Sequence, residues 1–367
     1  MKLKILFIIH FPPPIHGSAI VGNMIKESRL INNSFNCKYI NLSTSSKVEE
    51  IGTKSIQKII NYILTLCNVF SVFLKWKPDL CYIGVTVTGP AFYKDLMMVT
   101  LAKLFRVRLV YHCHNKGVSE SKITHINNLF YRFAFKNVQI ILLSKYLFTD
   151  IEKYVSENSV HYCANGVNEI KIRHKLNLNN DVPQILFLSN LFESKGVFVL
   201  LDACKILYEK GIIFHCNYVG NCGDITECEF RENVKRLNIQ SQITYLGAKF
   251  GEEKRHIMDK SDIFVHPTYN DCFPLVLIEA MQHSLPIIST FEGGIPEIIE
   301  NGVTGFLVEQ KNVVDLAERL EALIDSPDLR SKLGKAGRTK FEKEFTLTIF
   351  EKKLCAILKS IVSSNNK

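Results

Sequence analysis

The stretch IFVHPTYNDCFPLVLIEAMQHSLPIISTFEGGIPEIIEN, residues 263–301, decides the fold. It opens on a short β-rich run (263–266), crosses a polar loop, and enters an apolar helical segment over 274–283. A second β-rich run (287–289) and a second helix (296–301) follow. Runs of Ile, Phe and Val without polar alternation predict strands buried on both faces, and strands separated by helices pair in parallel. One such strand–helix–strand–helix passage specifies a layered α/β domain.

The same rhythm extends outward in both directions. Before it lie strands at 184–188, 214–219 and 243–245, with helices at 197–210, 227–237 and 252–260. Earlier still, strands at 4–10, 37–41, 80–83, 108–113 and 138–142 alternate with helices at 19–30, 56–76, 94–105, 123–135 and 145–154. A polar stretch at 168–181, with Asn177, Asn179 and Asn180, separates the two series and reads as a linker. The expected organisation is an N-terminal Rossmann-like domain (1–167) and a second Rossmann-like domain (182–345). A C-terminal helix (346–367) with a basic tail is expected to pack back on the first. Two doubly wound domains facing a central cleft place ligands at the carboxyl ends of strands.

Composition bounds the function. Of 367 residues, 47% are apolar and 22% charged, which excludes the disordered class. The net charge of +9 is uneven: residues 1–165 hold 20 Lys/Arg against 9 Asp/Glu, the remainder 25 against 27. A basic first half suits an anionic partner, or simply a solvated lysine-rich surface. Nucleic acid is disfavoured by the lack of a zinc-knuckle spacing, an RNP-type motif or a dense arginine run. The 11 scattered cysteines read as reduced thiols of a cytoplasmic protein, and Cys216, Cys222 and Cys228 lack the paired spacing of a zinc site. The opening KLKILFIIHF reads as a first strand rather than a signal peptide. The most apolar segment, 56–76, is interrupted by Gln57, Lys58, Asn61 and Asn68, short of a clean membrane span. It reads equally as a buried core helix.

Several loops carry groups suited to chemistry. After the first strand, HFPPPIHGSA (10–19) brings Gly17 and Ser18 to a helix start, where backbone amides meet an anion or the loop merely turns. The absence of G-x-G-x-x-G disfavours a nicotinamide dinucleotide. The strand at 108–113 delivers His112 and His114; His114 reads as a substrate-contacting residue, His112 as a core histidine, and a metal pair lacks a carboxylate partner. In NLFESKG (190–196), Lys195 and Gly196 open a helix. A cation there opposes the helix dipole unless an anion sits nearby, so Lys195 is either a diphosphate clamp or a surface lysine. Asp271 precedes the helix that Pro274 starts, as a ligand contact or a turn residue. Glu279 lies in an apolar helix and needs a partner, a ribose diol or an inter-helix cation. Gly293 and Gly294 form an anion-facing nest or a plain loop.

Together these residues resemble the large family of retaining GT-B glycosyltransferases often called family 4. The resemblance rests on the Pro/Gly first loop, Asn165-Gly166, Lys195-Gly196, the carboxylates Asp271 and Glu279 with seven residues between, Glu-Ala-Met, and Gly-Gly-x-Pro-Glu. The sequence departs from the family pattern in having Asp271 for a glutamate, Asn190 for an arginine, and one glycine in the first loop.

The resemblance implies transfer of a hexosyl or N-acetylhexosaminyl unit from a nucleotide-diphosphate sugar, by default a UDP-sugar, with retention. It implies no cofactor and no essential metal. Lys195, Asp271 and His114 would be catalytic. Glu279, Gly196, Asn190, Gly293, Gly294, Gly17, Phe273 and Pro274 would bind the donor. A glycan or lipid-linked acceptor in bacterial surface-polysaccharide assembly is expected. So is peripheral attachment to an anionic inner leaflet through Lys54, Lys58, Lys75, Lys77, Lys103, Arg106 and Arg108 around the 56–76 helix. A catalytically weakened nucleotide-sugar-binding subunit, or a sugar-nucleotide epimerase or phosphorylase on the same fold, is the alternative.

Overall fold

A computed structural model describes residues 2–14, 16–43, 56–121, 125–170 and 182–363. Lys54, Ile15 of the first loop, the start of the 123–135 helix, the tail from 364 and the linker from 171 onward, with Asn177, Asn179 and Asn180, lie outside the described residues. The chain forms two compact units, Met1–Asn165 with Leu347–Lys367, and Gly166–Thr346.

The first unit carries strands β1 (Lys4–Ile9), β2 (Asn36–Asn41), β3 (Leu80–Ile83), β4 (Arg108–Cys113), β5 (Gln139–Leu142) and β6 (Val160–Tyr162). They form one parallel sheet in the order β2-β1-β3-β4-β5-β6. Its helices are α1 (Gly17–Glu27), α2 (Arg29–Ser34), α3 (Ile56–Lys75), α4 (Gly89–Leu104) and α5 (His125–Phe135). β1, β3 and β4 are buried almost throughout, as unalternating Ile, Leu and Val runs require.

The second unit repeats the plan with β7 (Gln184–Leu188), β8 (His215–Val219), β9 (Ile243–Tyr245), β10 (Ile263–Val265), β11 (Ile287–Thr290) and β12 (Gly305–Val308). The order is β12-β11-β10-β7-β8-β9, again parallel. Helices α6 (Val197–Glu209), α7 (Glu227–Arg236), α8 (Gly251–Lys260), α9 (Leu275–Gln282), α10 (Ile295–Ile298), α11 (Val313–Asp325) and α12 (Pro327–Glu344) belong to it. Phe187, Tyr218, Phe230, Leu200, Leu207 and Leu320 fill its core. The last helix, α13 (Leu347–Ser363), joins the first unit, packs on α2, and accepts a hydrogen bond from Arg108 at the Val362 carbonyl.

Several expected elements differ. The 19–30 helix breaks at Ser28, whose extended backbone ends α1 and whose hydroxyl caps α2 by accepting from the Ile31 amide. The 145–154 helix is a 3-10 run, Lys145–Asp150, and the 296–301 helix is the single turn α10. The edge strands β6 and β12, of 3 and 4 residues, are too short for a periodic signal in sequence. Pro274 stands just before α9 in extended conformation, not inside its first turn. The apolar α3 is not a buried core helix: only Tyr62, Val69 and Phe73 are buried along it.

Candidate functional site

In the second sheet the chain runs from β7 outward to β9, then restarts at β10 on the other side of β7 and continues to β12. The order therefore reverses between β7 and β10, and in open α/β sheets ligands bind at the carboxyl ends of the strands at such a switch point. The loop after β7 presents Lys195 and the loop after β10 presents Asp271. Lys195 Nζ lies 2.6 Å from Asp271 Oδ2 and donates to the Asn270 carbonyl at 2.8 Å. The anion that a lysine at this helix start calls for is thus a side chain of the neighbouring loop.

Backbone packing fixes this pair. Gly196 sits at φ +80°, and a Cβ there would lie 2.2 Å from the Pro267 carbonyl oxygen, so the two loops touch only because the residue is glycine. The Tyr269 amide donates to the Ser194 carbonyl at 2.9 Å, and the Ser289 hydroxyl to the His266 carbonyl at 2.6 Å. Glu292, buried in the loop after β11, accepts from the Asp271 amide at 2.9 Å and from Gln310 Nε2 at 2.8 Å. Three successive loops are therefore tied into one rigid rim.

Burial alone would raise the Asp271 pKa. The hydrogen bond from His266 Nε2 at 3.1 Å and the Lys195 charge outweigh it, holding the carboxyl down at about 2. His266 is buried and its pKa is lowered, burial prevailing over the Asp271 charge, so the neutral ring donates from Nε2. At neutral pH the rim presents a lysine, a carboxylate and a neutral imidazole.

Glu279 projects from α9, where Lys254 Nζ of α8 meets its Oε1 at 2.7 Å. Its Oε2 is buried and lacks a hydrogen-bond partner among the described residues, although the side chain as a whole is 24% exposed. Half of the carboxylate's acceptor capacity is unused. The broad terminal torsion of glutamate lets the group turn either oxygen outward.

The glycines and neighbours divide less simply. Gly293 has φ +52°, and a Cβ would meet the Asp271 carbonyl oxygen at 2.3 Å. The Gly294 amide donates to the Cys272 carbonyl at 2.8 Å, so this member of the expected nest is already engaged. Asn190 Oδ1 accepts from the Asn221 amide at 3.1 Å and holds the turn before Lys195. Phe273 is buried with its ring 6.2 Å from that of Phe345, a core contact.

The first unit has its own switch point, between β1 and β3. A pocket of about 420 Å³ opens there, lined among others by His10, His16, Ser18, Thr86, Lys94 and His114. Gly17 faces open space. The close approach falls instead at Gly22, where a Cβ would lie 2.0 Å from the His10 carbonyl oxygen. Burial, then the charges of Lys94, His16 and His114, push His10 down to about 3; burial, then His16, push His114 to about 4. Both rings are neutral at physiological pH. His112 lies fully buried against the Tyr82 hydroxyl, as a core histidine does. Among the described residues no group of three or more His, Cys, Asp or Glu side chains is placed to hold a metal ion.

Sequence reasoning reached Lys195, Asp271, Glu279 and His114 but missed Lys254, His266, Glu292 and Gly22 as contributors. His266 and Glu292 lie within the stretch 263–301 that carried the reading, and a glutamate beside two glycines was a usable signal. Nothing in α8 marks Lys254.

Residues 168–340, nearly the whole of the second unit, match the model of glycosyl transferases group 1. The second unit is thus similar over nearly its whole length to group 1 glycosyltransferases. A putative colanic acid biosynthesis glycosyltransferase of Escherichia coli K12, WcaL, is 28% identical over 48% of this chain and 45% of its own length. An uncharacterised glycosyltransferase of Methanocaldococcus jannaschii, MJ1178, is 32% identical over 59% of this chain and 58% of its own. The chain thus spans about half the length of the curated relatives it matches. The structure of HepE from Anabaena, solved in complex with UDP, superposes with a TM-score of 0.76 at 18% identity, covering 98% of this chain and all of that one. At that identity the likeness establishes the fold: GT-B, with two parallel Rossmann-like sheets. Lys195, Asp271 and Glu279 all fall within the matched segment.

Proposed function

We propose that the protein is a retaining glycosyltransferase that moves a sugar from a nucleotide-diphosphate donor, a UDP-sugar, to a glycan or lipid-linked acceptor in bacterial surface-polysaccharide synthesis. The observation that carries this reading is the Lys195–Asp271 pair, 2.6 Å apart at the switch point of a unit that is similar to group 1 glycosyltransferases. A diphosphate needs a fixed cation, and a sugar hydroxyl beside it needs an acceptor that stays ionised; the pair supplies both. The polysaccharide assignment is supported by the likeness to WcaL, a putative colanic acid biosynthesis glycosyltransferase, and the uridine base by the UDP held in HepE.

In this scheme Glu279 turns a carboxylate oxygen outward to accept from the ribose hydroxyls, and Gly196 and Gly293 allow the loops to close on the donor. As the bond from the sugar C1 to the diphosphate oxygen breaks, Lys195 neutralises the charge growing on the leaving nucleoside diphosphate. The acceptor hydroxyl then attacks C1 from the same face through a short-lived ion pair and passes its proton to the departing diphosphate oxygen, giving retention without a covalent nucleophile. Asp271 holds a donor-sugar hydroxyl. His114, with Gly17 and the first unit's pocket, receives the acceptor as a neutral hydrogen-bonding ring. Lys195 serves where other enzymes use a metal ion, so we expect turnover to survive EDTA. A cytoplasmic location is supported by all eleven cysteines being free thiols.

The test is nucleotide release from a panel of nucleotide sugars, with and without membrane lipid extract, in wild type, Lys195→Ala and Glu279→Ala. Acceptor-dependent release from one donor, cut about 10²-fold or more in Lys195→Ala, is the expected result. Donor binding without consumption under every acceptor condition would instead make the chain a nucleotide-sugar-binding subunit.

A further inference from the structure

One face of the first unit is apolar where a water-facing surface should be polar. The connections β2–α3–β3, β3–α4–β4 and β4–α5–β5 all advance across the sheet in one direction, so right-handed crossovers set α3, α4 and α5 side by side on one face. Along α3, Ile56, Ile59, Ile63, Leu64 and Leu74 are each more than half exposed. Met97 and Leu104 continue this surface on α4, and Ile126 and Leu129 on α5, at 54–75% exposure. Single exposed apolar side chains are ordinary, but three adjacent helices of them are not. Between α3 and α4 runs an apolar groove of about 490 Å³, lined by Phe70, Met97, Leu101 and Leu104 among others.

The charge on this face is mostly positive. The three helices contain a single acidic residue, Asp95, and it is buried. Exposed cations gather where the helices end: Lys75 and Lys77 at the end of α3, Arg106 after α4, and Arg132 and Lys136 at α5, against one exposed carboxylate there, Asp79, which accepts from the Lys4 amide. Although α3 is long and apolar enough to cross a membrane, it does not lie free to do so. Tyr62, Val69 and Phe73 are buried beneath it, and the Phe73 ring packs 5.4 Å from Phe105. A helix anchored along its length with its apolar side outward suits the plane of a bilayer interface.

We propose that the α3–α4–α5 face docks the first unit on an anionic lipid leaflet. The helix α3 lies among the headgroups, the groove beside Phe70 receives acyl chain, and the cations at the helix ends meet lipid phosphates. Apolar insertion and charge act together, since either alone gives only weak attachment.

The test is co-sedimentation of the full chain with vesicles of phosphatidylglycerol and phosphatidylcholine in equal parts, against phosphatidylcholine alone, at about 0.15 M salt. Wild type is expected to partition onto the anionic vesicles. Ile59→Glu/Leu64→Glu, changing two water-exposed side chains, is expected to lose at least tenfold in partitioning, and Lys77→Glu/Arg106→Glu about tenfold. Both variants should keep the wild-type circular dichroism spectrum and UDP affinity, so failure of lipid binding is distinguishable from failure of the donor site. Equal partitioning of wild type and the Ile59/Leu64 variant overturns the proposal. So does concentration-dependent self-association of wild type that the variant lacks, since the face would then join two copies of this chain.

Discussion

Asp271 shows how much one carboxylate depends on its neighbours. It is buried, yet Lys195 and the His266 Nε2–H hold it ionised. Because its pKa in the folded protein lies below the ordinary carboxylate value, its contribution to stability is present above about pH 4 and is lost as pH falls toward 2. Asp271→Asn should therefore lower the melting temperature at pH 7, by about 1–3 kcal/mol of stability, with the gap from wild type narrowing between pH 4 and pH 2. Thermal unfolding across that range checks both statements. The glycines give a sharper contrast. Gly196→Ala forces a Cβ against the Pro267 carbonyl at positive φ and should cost about 2–4 kcal/mol, whereas Gly17→Ala, facing open space, should leave stability within about 0.5 kcal/mol. Lys195 and Glu279 were legible in the sequence because a charge beside a helix start or inside an apolar helix must find a partner. Which partner it finds was not legible: Lys195 meets Asp271 across 76 positions, and Glu279 meets Lys254 across 25.

At the level of elements, α3 shows where periodicity alone is ambiguous. An apolar helix reads as core whether its second side faces protein or something outside it. Phe73→Ala should cost about 3–5 kcal/mol, because that ring is buried, while Ile63→Ser, half exposed, should change folding stability by no more than about 0.5 kcal/mol. Chemical denaturation of the two variants separates these outcomes. The loops after β1 and β4 add a pH response. His10 and His114 are held neutral, with folded values of about 3 and 4 against an unfolded value near 6.5. The unfolded chain takes up these protons first, so stability is lost as pH falls below about 6.5 and goes on falling toward 4. Thermal melts from pH 7.5 to 4.5 should show this decline, and His114→Gln should flatten it. The break between α1 and α2 at Ser28 was hidden because Ser28 lies in an otherwise helical pattern; its capping role shows only once the backbone turns there.

For the whole molecule, the chain's last helix departs from sequence order. α13 follows the second unit yet belongs to the first, burying Phe350, Leu354, Leu358 and Ile361 there. Removing residues 347–367 should destabilise the first unit while sparing the second, and hydrogen exchange should show lost protection in α2 with β7 to β12 unchanged. The sequence by itself determined that both halves are parallel α/β layers, because unalternating strands separated by amphipathic helices are a local signal read within ten or so residues. It also marked the chemically active loops, since glycine, proline and lone charges at strand ends are local too. Only the tertiary structure decided that the strand order reverses between β7 and β10 and between β1 and β3. It alone showed that Lys195 is poised against Asp271, and that α3 turns its apolar side outward. These facts depend on which distant segments come to lie together, and that is set by the packing of whole sheets rather than by any window of residues.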